Sequence, residues 1–219
     1  MDFSRLSLEH YNEHDIPDSF DCGNKSLNEF IKTEEVKRFE TELLGCSNII
    51  LLDKSVVGFY TISNGSLRLS DFDQKRHDSV FGSLPIAEIP AILVGRLAVI
   101  QEKQKYGIGR FVIGEIVRYA FRCVDHCAVR LLVLHAERES SGFYRKMGFR
   151  DVPESRKEMA RAEATGRRTM YLDLKKIKDD TDASRRRRKP TASLRTQCPG
   201  QGLLGVRIWT SRPQAPRKH

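Results

Sequence analysis

The amino-acid sequence predicts an α/β domain, a mixed and mostly antiparallel sheet with helices on both faces. Three observations carry this expectation. Ala91 to Ile100 is an apolar, β-branched-rich run of strand length, interrupted at Gly95 and Arg96, and after a short polar turn the pattern from Gly107 onward is helical. Val129 to Ala136, reading VRLLVLHA, is a second strand of the buried type, so the helix between the two is a crossover and the strands are parallel neighbours. Ser47 to Asp53 and Val56 to Ser63 are further apolar runs joined by Lys54 and Ser55, the pattern of an antiparallel hairpin.

Taken in order, the chain opens with an alternating segment, Arg5 to His10, suited to an edge strand. A helical region follows, with Asn24 as its N-cap and Leu27, Phe30, Ile31 and Val36 as its apolar face. The hairpin comes next, and then a polar, irregular stretch from Asp71 to Pro90, expected to be a mobile loop. In the crossover helix Ile108, Val112, Ile116 and Ala120 recur at four-residue steps beside Val117 and Phe121, one stripe to be packed on the sheet. After the second parallel strand, Ser140 or Ser141 can cap a short helix that ends at Gly148, and Arg168 to Lys175 reads as the last strand.

The turn between the central strand and its helix carries the chemistry. It runs from Gln101 to Tyr106 and enters the helix through Gly107 and Gly109, where the first N–H groups lack helical partners and face the positive end of the helix dipole. Phosphate is the natural ligand of such an entry. A dinucleotide-binding fingerprint fails because Val112 stands where the third glycine belongs, and a P-loop fails because Gly109 and Gly114 are followed by Glu115 and Ile116. Gln104, Gly107 and Gly109 instead read Q-x-x-G-x-G directly after an apolar strand, although an ordinary strand-to-helix turn shares the glycine-rich start. Downstream, Phe143, Tyr144, Gly148 and Phe149 stand in the spacing F-Y-x-x-x-G-F.

These two segments resemble the acyl-CoA-binding and closing motifs of the GNAT superfamily of N-acetyltransferases. The resemblance implies a GNAT fold whose central parallel strands splay apart around the pantetheine arm of acetyl-CoA. It implies that Gln104, Lys105, Tyr106, Gly107, Ile108, Gly109 and Arg110 cradle the pyrophosphate and that the main chain of Leu97, Ala98 and Val99 aligns the thioester. It further implies that Tyr144 protonates the departing thiolate, a task for which a phenol is suited. No general base is evident. Phe20, Cys22, Gly23 and Leu27, the segment VVGFYTIS, and GRLAV before the loop resemble the toxin-type branch of the superfamily. That branch acetylates the α-amino group of aminoacyl-tRNA and is held by a ribbon-helix-helix antitoxin. A homodimer is compatible with it. The alternatives are a GNAT enzyme acting on a small amine or a protein amino terminus, and a catalytically weak GNAT binding module.

Charge refines the partner class. The 219 residues carry a formal net charge of +9, but from Arg185 onward there are ten Lys and Arg and no acid, which leaves 28 basic against 29 acidic residues before it, a net of −1. A nucleic-acid partner must therefore be argued from local groups, here Arg145, Lys146, Arg150, Arg156, Lys157, Arg161, Arg167 and Arg168, which share their segment with Asp151, Glu154, Glu158 and Glu163. The expected division is a GNAT domain over residues 1–178 and a basic tail without stable structure over 179–219. The five cysteines are odd in number and lack CxxC spacing, which points to a reducing, cytoplasmic setting, and Cys123, His126 and Cys127 lack a second ligand pair for zinc. His135, at the end of a buried-type strand, is assigned no role. No secretory leader or membrane-spanning stretch is expected.

Overall fold

The computed structural model describes residues 2–11, 15–71, 81, 86–124, 126–152 and 156–188. Strands β1 (Leu6–His10), β2 (Cys46–Leu52), β3 (Ser55–Arg68), β4 (Glu88–Val99), β5 (Leu131–Glu137), β6 (Arg150–Asp151) and β7 (Arg167–Asp173) form one sheet in the order β1-β2-β3-β4-β5-β7-β6. All pairings are antiparallel except β4 with β5. The helices are α1 (Lys25–Lys32), α2 (Glu34–Thr41), α3 (Ile108–Cys123), α4 (Arg138–Lys146), α5 (Arg156–Thr165) and α6 (Leu174–Arg188).

Local chemistry accounts for where these elements differ from the sequence reading. The helical region after Asn24 is two helices, because Thr33 adopts an extended backbone and its side chain accepts from the Glu35 N–H, capping α2 as it closes α1. The hairpin turn is Asp53–Lys54, one residue earlier than expected: both have positive φ, 50° and 68°, so Leu52 pairs directly with Ser55 across a two-residue turn. Helix α4 begins at Arg138 without a side-chain cap, and Ser140 and Ser141 instead donate back to the carbonyls of Glu137 and Arg138. The expected loop lies largely outside the described residues, and Glu88 to Pro90 already belong to β4.

The tail reading also changes. Residues 179–219 were expected to lack stable structure, yet α6 continues to Arg188, started by the Asp173 carboxylate accepting from the Lys175 N–H at 3.0 Å and anchored by Ile177 on the core. Residues 189–219 lie outside the described residues.

The sheet separates two packed layers. Ile92, Val94, Leu132, Leu134, Met170 and Leu172 face α3, whose Ile108, Val112, Ile113, Ile116 and Ala120 are buried against them. On the other face Ile49, Leu51, Phe59 and Ala98 meet Phe30, Ile31 and Val36 of α1 and α2, with the Phe30 and Phe59 rings stacked 5.8 Å apart. Replacing a ring of this size in such a core by Ala costs roughly 3–5 kcal/mol.

One irregularity positions the site. Thr61 pairs with Arg96 and Ile62 with Val94, so Gly95 is an extra residue bulged out of β4. The bulge reverses the strand's alternation. Before it Ile92 and Val94 face α3; after it Leu97 and Val99 pack toward that side, while Arg96 and Ala98 turn toward α1.

Candidate active site

The parallel pairing of β4 with β5 runs only from Ala91↔Leu131 to Val94↔Leu134. Beyond the bulge, Arg96 to Val99 pair with β3 alone and His135 to Glu137 with β7 alone, so the two strands part and leave a wedge between them. Backbone groups of β4 that would have met β5 are thereby left for a ligand. Leu97, Ala98 and Val99 form the β4 side of this wedge.

The wedge ends at the glycine-rich entry to α3. Gly107 has φ 89°, a left-handed conformation natural to glycine, and no side chain caps the helix. The first helical bond is Phe111 N–H to the Gly107 carbonyl, 3.0 Å, so the N–H groups of Ile108, Gly109 and Arg110 precede the ladder and have no helical acceptor. Lys105 also has positive φ, 69°, and Lys105, Tyr106 and Arg110 are exposed. The absence of side chains matters at both glycines: a Cβ on Gly107 would stand 3.1 Å from Phe3 Cζ, and one on Gly109 3.1 Å from Phe143 Cζ.

Gln104 does something its motif did not announce. Its side-chain amide donates to the Cys22 carbonyl at 2.9 Å and to the Val99 carbonyl at 3.0 Å, stapling the loop to the end of β4 and to the turn before α1. That turn is itself tied down by Asp21. The Asp21 carboxylate accepts from the Gly23 N–H (2.8 Å), the Asn28 amide (2.7 Å) and the Gln101 amide (2.7 Å), while Gln101 N–H reaches the Asp21 carbonyl. These hydrogen bonds, led by that from Gly23, hold the Asp21 carboxyl below the usual carboxylate range. Cys22 and Gly23 thus belong to a clamp on the loop, while Phe20 beside them is buried in the core against Phe59. The sequence held the residues, but nothing local linked them to a loop about eighty positions away.

Tyr144 lies on α4, half-buried, its ring 5.0 Å from Phe143 and 5.7 Å from Phe149. Because Phe143 also sits on Gly109, the helix bearing Tyr144 is packed against the loop at the start of α3. Burial, reinforced by the Glu137 carboxylate, pushes the phenol up to about 12. Among the described residues its hydroxyl makes no hydrogen bond.

The face of the wedge away from α3 is polar. A cavity of about 490 Å³ opens there, lined by Gly65, Leu93, His135, Arg161 and Thr169 among others. The Arg161 guanidinium lies 2.7 Å from His135 Nε2 and 3.2 Å from Nδ1, and the Thr169 hydroxyl is also 3.2 Å from Nδ1. Burial first, then Arg161 and Arg167, lower the imidazole to about 4. Arg96 lies over the Phe30 ring at 3.7 Å, and burial lowers its pKa as well. Glu137, the last residue of β5, accepts from Asn24 and Arg167, each at 3.4 Å. Of the cations singled out in the sequence, Arg145 is paired with Asp151, Arg161 is on His135 and Arg167 is on Glu137, whereas Lys146, Arg150 and Arg168 are exposed; the side chains of Arg156 and Lys157 lie outside the described residues. Among the described residues no cluster of three or more His, Cys, Asp or Glu could hold a metal, and no helix is long and apolar enough to cross a membrane.

No protein-family model matches the chain. A curated relative, a tRNA-acetylating toxin of Mycobacterium tuberculosis, is 26% identical over 136 residues, covering 62% of this chain and 78% of that protein. Among solved structures, AtaT complexed with acetyl-methionyl-tRNAfMet superposes with a TM-score of 0.63 at 19% identity, over 79% of this chain and 97% of that one. A tyrosine-to-phenylalanine mutant of AtaT, bound to the C-terminus of the antitoxin AtaR and acetyl-CoA, gives a TM-score of 0.59 at 19% identity, over 78% and 95%. With its strand order, its parted parallel pair and its glycine-started helix, the chain has the GNAT acetyltransferase fold, in the form that resembles the toxin-type members.

Proposed function

We propose that this protein is an acetyl-CoA-dependent N-acetyltransferase that modifies the α-amino group of aminoacyl-tRNA, a toxin that stops translation. The observation that carries the reading is the wedge between β4 and β5, closed at one end by the free N–H groups of α3 and overlooked by Tyr144. A pyrophosphate fits the helix start by charge and by the bare glycines. A pantetheine arm fits the wedge because it can hydrogen-bond, as a strand would, main-chain groups of Leu97 to Val99 that face away from β3. The similarity to a tRNA-acetylating toxin, and to AtaT in its acetyl-methionyl-tRNA complex, supports the acceptor.

In this mechanism the acceptor approaches from the face opposite α3 and, once its amine is neutral, attacks the thioester carbonyl, whose oxygen is polarised by a backbone N–H of Leu97 to Val99. The C–S bond breaks as the C–N bond forms, and Tyr144 gives its proton to the departing sulfur. No covalent enzyme intermediate is required. The partner that restrains the toxin is an antitoxin, a reading supported by the similarity to AtaT bound to the antitoxin AtaR; its ribbon-helix-helix class rests on the sequence resemblance alone.

The test is cell-free translation. Adding the full chain with acetyl-CoA is expected to arrest synthesis, while omission of acetyl-CoA or the Tyr144→Phe substitution relieves the arrest. Undiminished translation with the active chain and acetyl-CoA would overturn the toxin reading and direct attention to small amines and peptide amino termini.

A further inference from the structure

We propose that the Glu137 carboxylate receives the α-ammonium group of the acceptor and takes the proton it must lose before attacking the thioester. This deepens the function proposed above and rests on it. Glu137 closes β5 at the open end of the wedge, opposite the unpaired stretch of β4. It alternates onto the same face as Val133 and His135, the face of the acceptor cavity, yet its charge is felt by the Tyr144 phenol on the other side. The carboxylate thus stands at the end of β5 past the last β4–β5 pair, on the strand face it shares with the cavity-lining His135.

Its contacts leave it capacity. Asn24, whose Oδ1 caps α1, and Arg167, its directly paired neighbour on β7, each donate to a different Glu137 oxygen at 3.4 Å, near the outer limit of a hydrogen bond. Two acceptor oxygens offer about four lone-pair sites, so a third donor has room. Its side chain remains 43% exposed.

The surroundings also require an anion here. Arg161 lines the cavity, the charges of Arg161 and Arg167 both act on His135, and that of Arg167 also reaches Arg96, so a cationic ammonium entering beside these guanidinium groups needs a counter-charge. Glu88 is engaged by Ser66 and Arg68, and Glu115 by Arg118 on α3. His135 has the Arg161 guanidinium against both of its ring nitrogens and the Thr169 hydroxyl against Nδ1. Glu137 is the group left for the amine. The step balances: the ammonium proton passes to Glu137 and on to solvent, the nitrogen lone pair forms the C–N bond, the sulfur leaves with the C–S electron pair and takes the Tyr144 proton, and the second nitrogen proton, shed as the amide forms, returns through solvent to the phenolate.

The experiment uses the full chain and total tRNA in two forms, aminoacylated, and aminoacylated then treated with nitrous acid, which converts the α-amino group to hydroxyl. The wild type is expected to bind the amino form at least about tenfold more tightly, the worth of a charge-assisted hydrogen bond. Glu137→Gln is expected to erase that preference and lower acetyl transfer about a hundredfold, with acetyl-CoA binding by calorimetry unchanged. Glu137→Asp should restore part of both. A Glu137→Gln chain that binds acetyl-CoA and keeps either the preference or the transfer rate overturns the proposal, the former because the residue is then only a strut between α1 and β7. If the wild type itself transfers no label to charged tRNA, the function proposed above fails, and the role of Glu137 toward this acceptor fails with it.

Discussion

At the scale of single residues, protonation decides what the site can do. Tyr144, proposed as the acid, carries a phenol pushed up to about 12, so it stays protonated through the neutral and mildly alkaline range. Turnover should therefore show no descending limb from this group between pH 7 and 10, and Tyr144→Phe should lower turnover about a hundredfold while leaving acetyl-CoA affinity nearly unchanged. A wild-type limb near pH 9 that vanishes in Tyr144→Phe would contradict the assignment. His135 works in the opposite direction. Its folded-state value, about 4, lies below the unfolded value near 6.5, so between them the unfolded chain binds the proton that the folded chain refuses. Stability should fall as pH drops from about 6.5 toward 4, and urea midpoints across that window should fall less in His135→Gln. Tyr144 could be singled out from sequence because its motif is local. Glu137 could not, because its position depends on pairing with Arg167 and on Asn24 reaching it from 113 positions away.

At the scale of elements, the loop before α3 is held from outside itself. The Q-x-x-G-x-G spacing was legible because glycines at a helix start have a local geometric meaning, and Gly107 with φ 89° has that geometry. The clamp that fixes the loop was not legible, since Asp21, Gln101 and Gln104 meet only after β4 has carried the loop to the turn before α1. Asp21→Ala removes three acceptor contacts and should raise the KM for acetyl-CoA about tenfold with kcat nearly unchanged, as expected when a binding loop loses preorganisation. A fall in kcat with KM unchanged would place Asp21 elsewhere in the cycle. The break between α1 and α2 has the same lesson. The apolar periodicity of residues 27–36 is continuous, yet the Thr33 cap divides it, because a hydroxyl offered to the next helix competes locally with the ladder.

At the scale of the whole molecule, the sheet order and the parting of β4 from β5 create the site. The parallel pair and its crossover helix follow from alternating strand and helix patterns, and that part of the architecture was readable from periodicity. The Gly95 bulge was visible only as an interruption in an apolar run, and its effect, turning Arg96 toward α1 and Leu97 toward α3, depends on register with Thr61 and Ile62. The extent of α6 was missed because its charged sequence resembles a solvated tail until Asp173 and Ile177 tie its first turns to the domain. The central claim is that this wedge transfers an acetyl group to an amine presented by a charged tRNA. The measurement that tests it most directly is transfer of label from acetyl-CoA to total tRNA, aminoacylated in one reaction and deacylated in the other, with Tyr144→Phe beside the wild type. Label on the aminoacylated pool alone, lost in Tyr144→Phe, is the predicted result; no label on either pool from a chain that binds acetyl-CoA would contradict it.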